Sequence, residues 1–108
     1  MLVTTTNDLA GYRIVEHLGL VRGVIVRSRS VVGNIGASIQ SIFGGDITIY
    51  TRLADDARQH AYERMTDHAR EMGANAVIAM RYDANEIMEG ITEVLAYGSA
   101  VRVEPVRA

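Results

Sequence analysis

Cysteine and lysine are both missing from the 108 residues, and proline occurs once. Without a thiol, the chain can build no disulfide scaffold, thiolate zinc site, iron–sulfur cluster or cysteine nucleophile from its own residues. Without lysine, all positive charge is carried by arginine, which suits fixed salt bridges and subunit contacts, although a GC-rich genome produces the same bias. A strong excess of either sign is also lacking: 11 basic residues face 13 acidic ones, for a net charge of -2. That balance argues against a phosphate-neutralising surface, so no nucleic-acid partner is expected. No apolar run approaches the roughly 20 residues of a membrane helix, and Met1 to Asn7 has neither a basic n-region nor a sustained apolar core. The expectation is one cytoplasmic domain over residues 1–108 with no membrane partner.

What is present is patterned apolar sequence, enough for one core. Val3 to Thr6 reads as a short strand stopped by Asn7-Asp8 and Gly11. Tyr12 to Arg29 is rich in Val, Ile and Leu, with Gly19 and Gly23 as interruptions, and fits two strands or one long strand bent by bulges or a turn. In its second half Ile25, Arg27 and Arg29 alternate with Val24, Val26 and Ser28, giving an apolar and a basic face. Ile35, Ile39, Ile42 and Phe43 at helical spacing before Gly44-Gly45 predict a short helix, and Asp46 to Thr51 a small extra strand.

The main helix is expected from about Arg52 to Met72, with Leu53, Ala57, Ala61, Met65, Ala69 and Met72 on one face. Thr51 is its expected N-cap, Asp55 and Asp56 its first-turn acids and Gly73 its stop. Ala74 to Tyr82 reads as a buried strand turning at Asp83-Ala84-Asn85, and Thr92 to Val103 as a last strand apolar on both faces. Pro105 marks a loose tail over residues 104–108. The fold class is therefore α+β: a small two-layer domain whose mostly antiparallel sheet is packed by one long helix plus a short helix. A strand apolar on both faces needs a second cover, and a partner subunit supplies one economically.

The candidate functional residues fall into two groups. His60, with Glu63 and Asp67 on the same helix flank, could hold a weak divalent metal if a neighbouring subunit supplied further ligands; a solvated charged face is the plainer explanation. His68 lies eight residues on, about 12 Å of rise away, and falls on the apolar stripe as a packing residue. The second group is the stretch containing Gly33, Asn34, Gly36 and Ser38, which follows a strand and opens a helix. That is a context for anion binding, to which Arg27 and Arg29 could add charge, although pairing of these arginines with acids across a subunit boundary is the plainer expectation. It matches neither G-x-G-x-x-G nor a P-loop, and turn glycines with a helix cap are the plainer explanation. His17 beside Glu16 has no clear role, and the methionines follow the apolar pattern of a core. No Ser-His-Asp order, paired-carboxylate motif or H-E-x-x-H is visible.

Gly44-Gly45, Tyr50, Ala57-Arg58, Ala61, Ala69, Gly73-Ala74-Asn75-Ala76-Val77-Ile78 and Gly98-Ser99-Ala100-Val101, with Thr4-Thr5-Thr6 and Ile14-Val15-Glu16, together resemble the YbjQ-like family. The resemblance implies a two-layer subunit similar to the dodecin-like arrangement, assembled as a homopentameric ring with added strands at the subunit joins. The family carries a heavy-metal-binding label, but no ligand motif belonging to it maps onto these residues. Ser30 to Gly36 departs from the aromatic, charged version of many members. The preferred reading is a non-enzymatic oligomeric binding or scaffold protein with a ligand site at subunit boundaries. The alternatives are a metal-binding protein using His60 and acidic neighbours, and an enzyme or binder acting on a small anion at Gly33 to Ser38.

Overall fold

The computed structural model describes residues 1–28 and 48–107. Four strands and a helix follow one another as β1 (Leu2–Val3), β2 (Tyr12–Ser28), α1 (Thr48–Glu71), β3 (Ala76–Met88) and β4 (Ile91–Pro105). The strands form one sheet in the order β1-β3-β4-β2, with β3 and β2 both antiparallel to β4 and β1 parallel to β3. The sheet is thus mixed, its parallel part confined to the two-residue β1. A strand of 17 residues at about 3.3 Å each accounts for the longest extent of the molecule, 58 Å against 28 and 18 Å. The short helix expected before Gly44-Gly45 lies outside the described residues.

β2 is one strand, and its two register shifts lie between Ile14 and Glu16 and between His17 and Gly19. Gly19 has a φ of 116°, the positive-φ backbone that a bulge there requires. Gly23 serves another purpose. It stays in regular register opposite Ala96, and a Cβ there would overlap the Ala61 carbonyl and come 2.5 Å from Met65 N and 2.8 Å from Arg64 Cβ. The missing side chain lets the helix backbone rest directly on β2.

The α1 stripe packs as its spacing predicts: Ala57, Ala61, Met65 and Ala69 are buried against Val21, Ile25, Val77, Val94, Ala96 and Ala100. The helix ends in paired C-terminal bonds, with Gly73 N–H donating to the Arg70 carbonyl (2.9 Å) and Ala74 N–H to that of Ala69 (3.0 Å), around a Gly73 φ of 88°. Its start corrects the expectation. Residues 48–51 are helical, not an extra strand, so Thr51 is inside the helix and Asp55 and Asp56 lie beyond the first turn. Once the Ala-rich stretch is nucleated, adding one residue costs little, which carries the helix through the β-branched residues before it.

Asp83-Ala84-Asn85, expected as a turn, continues β3 in register with Leu95, Val94 and Glu93. The cross-strand ladder overrides local turn propensity, and the reversal comes at Glu89-Gly90, where Gly90 has a φ of 77°. The expected loose tail also begins later: Pro105 pairs with Tyr12, Arg13 bonds Glu104 at 3.0 Å and Val106 N–H donates to the Gly11 carbonyl. At the other end, Thr4 and Thr6 run past β3 and accept from the Met80 and Ala79 amides through their carbonyls.

Candidate functional site

The register divides the sheet into an inner face beneath α1 and an outer face. Val21, Gly23, Ile25 and Arg27 point inward, opposite Gly98, Ala96, Val94 and Thr92. Ile25 is needed in the core and the alternation carries Arg27 to the same helix-covered face, while Val24 and Val26 face outward.

On the outer face, Ala76, Ile78, Val101 and Val103 form a second cluster beneath Leu9 and Ile14, so the N-terminal segment covers one end. At the other end no described residue plays that part. Leu20 is 65% and Val26 52% exposed, with Val24, Leu95 and Tyr97 half-buried beside them. A strip of this kind on a packed scaffold is the surface expected to meet another protein surface.

On the inner face, α1, the end of β2 and the β3–β4 hairpin flank a wedge of about 440 Å³ that is open to solvent on one side. Its walls include Leu53, Ala54 and Ala57 of the helix facing Ala84 and Val94 of the sheet. Alanines opposing one another leave space that larger side chains would fill. Arg27 and Arg58 stand on its rim, with Glu86 and Thr92.

The two arginines are held by neutral partners. Arg27 Nη2 lies 3.0 Å from His60 Nδ1, and the Arg58 guanidinium lies 5.5 Å from the centroid of the Tyr82 ring. Neither is in a salt bridge among the described residues, where the three pairs are Arg13–Glu104, Arg70–Asp67 and Arg102–Glu16. Since arginine has only donors, the Arg27 contact requires His60 Nδ1 to present its lone pair. Partial burial, and then Tyr62, raise the Tyr82 hydroxyl above the ordinary tyrosine value, with Arg58 drawing it partly back. Glu86 is occupied at the hairpin turn, where its Oε1 accepts from Gly90 N–H at 3.0 Å.

Of the expected metal residues, His60, Glu63 and Asp67 are all exposed on α1. Each is engaged separately: His60 with Arg27, Glu63 with Gln59 (3.3 Å) and Asp67 with Arg70 (3.0 Å). Among the described residues no group of three or more His, Cys, Asp or Glu side chains comes together to hold an ion. His68 is half-buried, its Nδ1 accepting from Arg22 N–H at 3.3 Å, and Arg64 donates to the Val24 carbonyl at 2.9 Å. These two residues satisfy backbone groups of β2. Arg29, Gly33, Asn34, Gly36 and Ser38 lie outside the described residues, so of the expected anion set only Arg27 is placed, at the wedge. Arg58 and Tyr82 carry no functional expectation from the sequence, because their meeting depends on how α1 packs across β3.

A family model described as "Putative heavy-metal-binding" matches residues 1–104. The chain belongs to this YbjQ-like family. Family members named UPF0145 proteins in Burkholderia mallei (strain SAVP1), Burkholderia pseudomallei (strain 668) and Burkholderia thailandensis are each 61% identical over 101 residues, covering 94% of this chain and 91% of the relative. A crystal structure of a Pediococcus pentosaceus protein of unknown function, from the DUF74 family, superposes with a TM-score of 0.57 at 17% identity. The match covers 96% of this chain and 98% of that one. That likeness is one of fold, and it supports the α+β architecture of this chain. No helix among the described residues is long and apolar enough to cross a membrane.

Proposed function

We propose that the protein is a non-enzymatic binding or scaffold subunit that works as a homo-oligomer, with a second copy covering the outer face of the sheet. The observation that carries this reading is the apolar strip of Leu20, Val24, Val26, Leu95 and Tyr97, which no described residue covers, opposite a face that α1 already covers. A second copy is the occupant favoured by the long sheet itself. β2 extends well past the N-terminal cover at Leu9, so the strip follows the strand on either side of Arg22, and a copy of the same chain brings a matching surface to it. A closed ring similar to the dodecin-like arrangement, with five copies as the family resemblance implies, would use this strip at every join. The heavy-metal description of the family has little support in a chain without thiolates whose His60, Glu63 and Asp67 are engaged apart.

Size-exclusion chromatography with light scattering tests the reading through Leu20→Arg and Val26→Arg. Both sites are exposed in the subunit, so the variants are expected to fold, yet a charge would be left unpaired at the join. The expected result is a loss of the assembled mass in both. An unchanged assembled mass would place the join elsewhere.

A further inference from the structure

We propose that the wedge between α1 and the β3–β4 hairpin binds a small amphipathic monocarboxylate, its apolar body lying against Ala57 and Val94 and its charge drawn to the rim where Arg27 and Arg58 stand. The inference does not rest on self-association, because the wedge belongs to the inner face of one subunit. Its volume, about 440 Å³, is within the roughly 300 to 1,000 Å³ of small-molecule sites. Ala57 and Val94 are 3% and 8% exposed, so the floor is apolar and firmly set in the core.

The charge of the ligand follows from the rim. Arg27 and Arg58 contribute two positive charges that no described carboxylate pairs, and the imidazole and phenol rings beside them orient the guanidinium groups without neutralising them. Glu86 contributes one negative charge, but its carboxylate is committed to the Gly90 amide. One positive charge remains in excess, which a monoanion balances and a cation does not. A guanidinium binds a carboxylate through two parallel hydrogen bonds, and near an apolar floor such bonds are stronger than in bulk water. The Thr92 hydroxyl on the same rim offers a further donor to the headgroup.

Isothermal titration of the full chain with sodium octanoate, and with octylammonium as a probe of the same tail and opposite charge, tests the proposal. Octanoate is expected to bind saturably, and octylammonium at least about tenfold more weakly. Arg27→Gln with Arg58→Gln should lower octanoate affinity by about tenfold or more. Ala84→Phe, at an exposed position where a ring would occupy the wedge, should abolish binding while the thermal midpoint stays close to that of the parent. Equal affinity for the two probes would mean apolar adhesion without charge recognition, and would overturn the proposal. So would octanoate binding that survives both the paired arginine variant and Ala84→Phe, or no saturable binding at all.

Discussion

At the scale of single residues, glycine at position 23 shows how little side-chain volume the helix–sheet contact tolerates. A methyl group there meets two helix backbone atoms, the Ala61 carbonyl oxygen and Met65 N, and the Arg64 Cβ, and backbone cannot turn aside as the far end of a side chain can. Gly23→Ala is therefore expected to cost about 1 to 3 kcal/mol, measured by urea denaturation; a cost within error of zero would mean that α1 sits farther from β2. The sequence shows Gly23 as an interruption but not which kind, since a bulge and a close approach both ask for glycine, and here Gly19 is the bulge. Tyr82 yields a second expectation. Its folded pKa is raised, so the folded state holds the proton more tightly than the unfolded chain. That stability is fully present below the unfolded value near pH ~10 and is lost as pH rises through the higher folded value. Tyr82→Phe should thus flatten the alkaline decline in stability, followed by denaturation at stepped pH; an identical decline in both proteins would assign it to other groups.

At the scale of elements, the α1 stripe and its Gly73 stop were legible because they rest on local periodicity and local backbone geometry. β3 was not. Its Asp83-Ala84-Asn85 stretch has turn chemistry, and only the ladder to Leu95, Val94 and Glu93 holds it extended. β3 also contains Ala79 at a φ of 53°, where two residues of β3 stand opposite Gly98 and the Ala79 and Met80 amides turn to the Thr6 and Thr4 carbonyls. A left-handed backbone costs alanine about 1 to 2 kcal/mol that glycine avoids, partly offset by the greater freedom of glycine when unfolded. Ala79→Gly should accordingly be neutral to about 1 kcal/mol stabilising, and Ala79→Val should be destabilising by a comparable or larger amount. Chemical denaturation of both variants checks this, and a stabilising valine would contradict the bulge. The wedge was equally hidden from a local reading: Arg27 and Arg58 come together only through the packing of α1 on the sheet, and Arg27 alone looked like part of a basic face.

At the scale of the whole molecule, the sequence indicated an α+β layer with too much apolar surface for one helix to cover, and that surplus is the outer strip of Leu20, Val24, Val26, Leu95 and Tyr97. The same scale governs metal binding, because a single subunit presents His60, Glu63 and Asp67 on one flank without closing them around an ion. Zinc, copper and cadmium are expected to bind weakly and to lose that binding in His60→Ala; submicromolar affinity that survives the substitution would place the ligands elsewhere. Self-association remains the claim on which the functional account turns, and sedimentation equilibrium of the unaltered protein over a range of micromolar concentrations tests it most directly. The account predicts one species whose mass is a fixed multiple of 11.8 kDa and does not change on dilution; a stable species at 11.8 kDa itself would contradict it.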